Sequence, residues 1–362
     1  METWILGGTG RSGRAIAAEL VARGVTPVLA GRDAAGLARV AEAVGGGART
    51  VLAGTVEAMA GEIRRQRPAV VINTVGPFGA TAVPIARACL SAGAHYADLA
   101  NDVASLSAVL ALDDAATAAG RTVVTGAGFG VTATESVVVA LCAGRPAPAE
   151  VRVHMIPSLA MEAGTVGEAL AATMLDGLPG VEGGRRFQGR RFRGGRLAPA
   201  RLGGDATRLT LPDGTGVRTV GVPLGELVAA QRASGAPDVT ASSSELAPLR
   251  HVLPAASALL EVAALRRFAV RRLARVRFAA RPRPRAHSWG YARVRWADGT
   301  VRDGWLRVGE AQGYTGAVPA EVARRLLAGE GRPGAYTPAA LFGPSLAESC
   351  GGEYLLPAGA GR

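Results

Sequence analysis

The chain has 362 residues, enough for two domains with separate cores, and no apolar run reaches the roughly 18 residues a membrane helix needs. Its net charge of +12 comes wholly from arginine, and the absence of lysine excludes both a Tyr-x-x-x-Lys catalytic pair and a lysine Schiff base. The three scattered cysteines, Cys89, Cys142 and Cys350, form neither a disulfide framework nor a zinc spacing, which points to a cytoplasmic protein with reduced thiols.

The chain opens directly on a strand, so no signal or transit peptide is expected. Apolar runs predict strands at Thr3–Leu6, Thr26–Ala30, Arg49–Leu52, Ala69–Asn73, His95–Asp98 and Thr122–Thr125. Helical patterns fill the gaps at Arg11–Arg23, Asp33–Val44, Val56–Arg65, Thr81–Ala92 and Ser105–Ala119. Such alternation predicts an α/β fold with a doubly wound parallel sheet of the Rossmann type, which binds ligands at the carboxyl ends of its strands.

The first strand runs into Gly7-Gly8-Thr9-Gly10-Arg11-Ser12-Gly13. Gly7 and Gly8 allow a tight turn, Gly10 lets backbone approach a pyrophosphate, and Gly13 lets the next helix pack close. A glycine pattern alone is weak evidence. This one follows a strand, opens a helix and sits in a βαβ unit of about 30 residues, the context a dinucleotide site requires. Gly7, Gly8, Thr9, Gly10, Arg11, Ser12 and Gly13 are therefore candidate cofactor contacts.

The second strand ends on Arg32. A guanidinium there can pair with a 2′-phosphate, whereas an acid would favour the ribose hydroxyl of NAD. Asp33 reads as a helix N-cap, so NADP(H) is expected over NAD(H). The fourth strand ends in Asn73-Thr74-Val75-Gly76-Pro77-Phe78, which places Asn73, Val75, Gly76, Pro77 and Phe78 toward the nicotinamide half of the cofactor. The fifth gathers His95, Tyr96, Asp98 and Asn101. Tyr96 and Asp98 share one side of the strand and are the candidate catalytic proton donors, although an acid at this place also caps helices. Gly126 and Gly128 close the sixth strand; Gly128 suits close approach to a ring, and the pair equally suits a hinge.

After about residue 130 the texture changes. A helix is expected at Ala133–Leu141, a strand at Glu150–Pro157, a helix at Val166–Leu175 and short strands through 180–222. Tyr291–Trp296, Asp298-Gly299 and Val301–Val308 read as a hairpin, and the clearest late helix is Ala320–Leu327. The expected division is a dinucleotide-binding domain over 1–130, completed by about 310–362, and an α+β substrate domain with a mostly antiparallel sheet over 131–309. His154, Ser158 and Glu162 begin the second domain, where they can face a substrate. His251 and His287 lack metal-ligand spacing, and no metal is expected.

Arginine-rich stretches at Arg185–Arg193, 266–285 and Arg324-Arg325 have no aromatic platform or recognition module, so they read as solvated faces and no nucleic-acid partner is expected. A peripheral membrane contact through 254–280 is the alternative for the second stretch.

The glycine-rich start, Gly31-Arg32, Asn73-Thr74-Val75-Gly76-Pro77-Phe78 and His95-Tyr96-Ala97-Asp98 resemble the saccharopine dehydrogenase-like superfamily, most closely its bacterial branch that includes trans-acting enoyl reductases. The Gly164-Thr165 helix start and the ending Pro333–Gly343 are similar too. Phe129-Gly130-Val131-Thr132 departs from the pattern, since relatives often carry a proline there. The resemblance implies a Rossmann domain built from both chain ends, an inserted α+β domain, a nicotinamide cofactor and a homodimer. Its members reduce imines formed from amino acids, or activated double bonds in lipid and polyketide precursors. The expected activity is thus an NADPH-dependent reductase acting on a small-molecule substrate. The alternative is a dinucleotide-binding sensor or membrane-associated scaffold without catalysis.

Overall fold

A computed structural model describes residues 2–160, 164–165, 171, 188–245, 247–249 and 262–357. In chain order the first elements are β1 (Thr3–Leu6), α1 (Arg11–Ala22), β2 (Pro27–Gly31), α2 (Ala34–Val44), β3 (Arg49–Leu52), α3 (Val56–Gln66), β4 (Val70–Asn73), α4 (Phe78–Ala92), β5 (His95–Asp98), α5 (Val103–Leu110), α6 (Asp113–Ala118), β6 (Thr122–Val124) and α7 (Phe129–Cys142). Next come β7 (Glu150–Ile156), β8 (Gly164–Thr165), β9 (Gln188–Arg193), β10 (Arg196–Arg201), β11 (Thr207–Thr210), β12 (Gly216–Gly221), α8 (Gly225–Ser234), β13 (Asp238–Ser243), α9 (Ala263–Ala274), β14 (Arg277–Phe278), β15 (Ser288–Arg295) and β16 (Val301–Val308). The chain ends with α10 (Ala311–Leu327), β17 (Gly334–Tyr336), two short helices and β18 (Glu353–Leu355).

The chain splits into two units. One takes Met1–Asn101, Ser105–Thr132 and Gln312–Gly351; the other takes Asp102–Ala104, Ala133–Ala311 and Gly352–Arg362.

The first unit is a seven-stranded parallel sheet in the order β17-β6-β5-β4-β1-β2-β3. Its central strands are unbroken apolar runs because both faces are covered: Trp4, Ile5, Leu6, Val70, Val71 and Ile72 are all fully buried. Edge strand β3 keeps only Val51 inside. Asp33 Oδ1 accepts from Gly36 N at 3.0 Å and Thr55 Oγ1 from Ala58 N at 3.2 Å, so α2 and α3 start on side-chain caps.

Several helices differ from the periodicity reading. The stretch Ser105–Ala119 is two helices, broken where Asp113 turns its Oδ1 to accept the Ala335 N–H of β17 at 2.7 Å. α4 starts at Phe78 because extended Pro77 serves as its N-cap. α7 starts at Phe129, four residues before the expected Ala133, where Thr315 Oγ1 accepts the Phe129 N–H at 3.2 Å. α10 reaches back to Ala311 and carries Pro319 inside it.

The second unit is a mixed sheet in the order β10-β9-β13-β7-β15-β16-β18, with the β11–β12 hairpin joined to β13. Among the described residues of this sheet, only β13 and β7 pair in parallel. One sheet face packs on α7, against which Gly290 and Gly304 are too close for a side chain: a Cβ on Gly290 meets Ala133 O at 2.6 Å. The opposite face carries Ile156, Trp289, Leu211 and Val217. The Asp298-Gly299 hairpin forms as expected between β15 and β16, in the register Tyr291↔Trp305. Gly164-Thr165 pairs with Arg277-Phe278 in a short ladder. The expected helix at Val166–Leu175 (Ala171 apart), Glu162, Arg185–Phe187 and His251 lie outside the described residues.

Candidate functional site: the carboxyl edge of the parallel sheet

All strands of the first sheet point the same way, so the segments after β1, β2, β4, β5 and β6 share one edge. The turn after β1 is shaped by glycines. Gly7 sits at φ +79°, and a Cβ there meets Thr74 Oγ1 at 2.6 Å. Gly7 N and Gly8 N both donate to Ala30 O, at 2.8 and 3.1 Å, which anchors the turn to β2. A Cβ on Gly13 meets Gly7 O at 2.3 Å and Gly8 Cα at 2.9 Å, so the first turn of α1 lies directly on the loop.

Gly10 is different. It is exposed, its φ of −69° suits any residue, and the nearest atom to an added Cβ is Gly7 O at 3.2 Å. Gly10 is the N-cap of α1 and offers no side chain to its N–H groups, and the first turn holds no acid. An uncapped helix N-terminus with open space before it is a seat for an anion. Around it, Thr9 O accepts from the Arg14 guanidinium at 2.7 Å, Ser12 Oγ accepts from Gln312 Nε2 at 3.2 Å, and Arg11 is exposed.

Arg32 stands exposed just past β2, and among the described residues its guanidinium makes no hydrogen bond or ion pair. Asp33 is committed to its cap on Gly36 N, as its place in the sequence suggested. A Cβ on Gly36 would meet Asp33 Oδ2 at 2.4 Å and Thr9 Cγ2 at 3.2 Å, so the missing side chain makes way for the capping carboxylate. The end of β2 thus presents a free cation and a carboxylate already engaged.

The β4 loop divides its residues between framework and surface. Val75, Gly76, Pro77 and Phe78 are half-exposed, and the Gly76–Pro77 peptide is cis. Asn73 is fully buried and does not present its amide. Its Nδ2 donates to Tyr96 Oη at 3.2 Å and Thr81 Oγ1 at 3.3 Å, while its Oδ1 accepts Val75 N at 3.0 Å. With these bonds it pins the loop that carries Val75. Thr74, within the stretch expected beside the cofactor, and Thr81, outside it, do similar work: Thr74 Oγ1 donates to Leu6 O at 2.7 Å and Thr81 Oγ1 to Val75 O at 2.6 Å. Small hydroxyl residues carry too little local signal to reveal this.

Tyr96 and Asp98 lie on one side of β5, as alternation requires, but both have 0% exposure. Tyr96 Oη donates to Asp98 Oδ2 at 3.0 Å. Asp98 Oδ1 accepts from Ala100 N at 3.0 Å, Thr125 Oγ1 at 2.8 Å and Gly126 N at 3.1 Å. Burial raises the Asp98 pKa, opposed by these donors, and burial beside Asp98 raises that of Tyr96 well above the usual phenol range. Neither side chain is exposed to a reacting molecule. In this geometry the pair fastens the segment leading to half-buried Gly128 onto β5, helped by Ala127 N donating to Asp98 O at 2.8 Å. Among the described residues no His, Cys, Asp and Glu cluster can hold a metal.

The family model for the saccharopine dehydrogenase NADP binding domain matches residues 3–124. Over this segment the chain is similar to an NADP-binding domain of the saccharopine dehydrogenase type. The uncapped α1, the open approach at Gly10 and the exposed Arg32 all fit NADP(H). The whole chain is similar in fold to apo saccharopine dehydrogenase (L-Glu forming) from Saccharomyces cerevisiae, with a TM-score of 0.61 at 12% identity, covering 99% of this chain and 100% of that one. At that identity the likeness is one of fold. Lesser likenesses are to serine dehydrogenase from Escherichia coli (TM-score 0.29, 12% identity, 34% of this chain and 81% of that one) and a short-chain type dehydrogenase/reductase from Mycobacterium ulcerans (TM-score 0.29, 16% identity, 34% and 66%). No curated protein matches in sequence. Among the described residues no helix is long and apolar enough to cross a membrane.

Proposed function

We propose that the protein is an NADPH-dependent reductase acting on a C=N or activated C=C bond of a small metabolite. The observation that carries the cofactor half is the pairing at the end of β2: Arg32 is exposed and uncommitted while Asp33 is occupied by its cap. In this reading Arg32 holds the 2′-phosphate and Gly8 to Gly13 receive the pyrophosphate at α1. Val75, Gly76, Pro77, Phe78 and Gly128 line the nicotinamide side. The bound cofactor supplies hydride, and the chain supplies position. Asn73, Tyr96 and Asp98 hold those loops in place, and the product takes its proton from water. The full-length likeness to saccharopine dehydrogenase (L-Glu forming) supports the C=N alternative.

Titration with NADPH and NADH tests the cofactor assignment. Losing a charge-assisted pair of about 1.5–3 kcal/mol, Arg32→Ala binds NADPH roughly 10- to 100-fold more weakly and leaves NADH binding unchanged. Tighter wild-type binding of NADH, or an Arg32→Ala protein with unaltered NADPH affinity, refutes it. NADPH oxidation across a panel of imines and enoyl compounds tests the reaction.

A further inference from the structure

Helix α9 presents an outward face that its own unit leaves bare. Arg266, Ala269, Val270, Leu273 and Ala274 are half-buried at helical spacing. Leu265, at 43% exposure, and Phe268, at 56%, point outward with Arg267, Arg271, Arg272 and Arg275. Val262 and Val276, at the two ends, are exposed as well. These four make up half of the eight large apolar side chains exposed among the described residues, so they form a patch rather than the usual scatter. The charge is equally one-sided. Nine arginines and no acid fall between Val262 and Arg285. Seven of them (Arg267, Arg271, Arg272, Arg275, Arg277, Arg281 and Arg283) are exposed and make no ion pair among the described residues.

We infer that α9 and the arginines after it seat the protein on an anionic lipid surface. An in-plane amphipathic helix buries Leu265, Phe268 and Val262 among the acyl chains near the headgroups, and the arginines meet lipid phosphates. The Arg272 guanidinium already lies 5.7 Å from the Phe268 ring centroid, an arrangement that lets the cation stay at headgroup level while the ring goes below. A second copy of the chain is a poor occupant, because a symmetric contact sets these arginines against one another. A nucleic acid satisfies the charges but gains nothing from Leu265 and Val262. The inference stands apart from the cofactor reading, since α9 and the sheet edge share no residue.

Co-sedimentation of the full chain with vesicles tests it. The wild type binds vesicles of phosphatidylcholine and phosphatidylglycerol, is released by high salt, and does not bind phosphatidylcholine alone. Phe268→Asp, and separately Arg271→Glu with Arg272→Glu, weaken binding about tenfold or more. Arg208→Glu with Arg218→Glu, the same charge change on exposed arginines of the β11–β12 hairpin, retains binding. Unchanged thermal stability and NADPH affinity show that the variants are folded. The inference is overturned if the wild type ignores anionic vesicles, if the α9 variants bind as it does, or if the hairpin variant loses as much. Binding to duplex RNA or DNA without binding to vesicles also overturns it.

Discussion

Gly10 and Gly13 lie one turn apart, yet the geometry assigns them opposite consequences when each is replaced by alanine. At Gly13 a Cβ meets backbone on the inside of the loop, 2.3 Å from Gly7 O and 2.9 Å from Gly8 Cα. No side chain can swing away, so α1 must shift. Overpacking of this kind costs about 1–3 kcal/mol, offset by up to about 1 kcal/mol from the better helix propensity of alanine. The net loss for Gly13→Ala is about 1–2 kcal/mol. At Gly10 the φ of −69° and ψ of 162° accept alanine, and the nearest atom is 3.2 Å away. A poorer N-cap and a less flexible unfolded chain roughly cancel, leaving the apo protein within about 0.5 kcal/mol of wild type. The new methyl instead occupies the approach to the α1 N–H groups. Losing one or two charge-assisted bonds there weakens NADPH about 10- to 100-fold. Urea unfolding of the apo proteins and calorimetric NADPH titration separate the two effects. A Gly10→Ala protein that binds NADPH normally, or that is destabilised as much as Gly13→Ala, refutes the assignment of α1 as the pyrophosphate seat.

Tyr96→Phe removes the hydroxyl between Asn73 and Asp98 and lowers stability by about 1–2 kcal/mol in denaturant unfolding. With any substrate found, its rate stays within severalfold of wild type; a drop of about 10²-fold or more marks Tyr96 as a general acid after all. Burial, reinforced by Arg152 and Arg293, lowers the His154 pKa from 6.5 to about 4. The unfolded chain therefore takes up the proton first, so this contribution to stability is present above pH 6.5 and is lost as pH falls toward 4. Its full size is about 3 kcal/mol. His154→Gln, which can keep the 2.9 Å contact to Thr219 Oγ1, shows a shallower loss of unfolding free energy over that range than wild type. Parallel curves contradict this.

The alternation of strands and helices through residue 125 was legible because its causes are local. Apolar runs such as Val70–Asn73 bury on both faces, Asp33 and Thr55 cap the helices that follow them, and Gly7 takes a φ that other residues resist. The helix starts were less legible. Phe78 and Phe129 begin helices ahead of the regular apolar pattern, the latter beside Thr315, 186 residues away in the chain. Polar residues at strand ends were the least legible. Asn73, Tyr96 and Asp98 look like ligand contacts in sequence, because such residues at a parallel sheet's carboxyl edge either meet a ligand or bind one another. Register decides between these: Asn73 pairs with Asp98, and Val71 with Tyr96, which brings the polar groups within reach across β4 and β5.

By itself, then, the sequence determined the dinucleotide turn, the cation after the second strand and the exclusion of lysine chemistry, since each depends on residues close together or on a residue type absent altogether. Only the tertiary structure decided that Tyr96 and Asp98 are buried against each other, that Gln312 reaches the Ser12 hydroxyl, and that Leu265 and Phe268 face outward among arginines. Burial and hydrogen-bond partners are properties of packing between distant segments, and no local pattern encodes them.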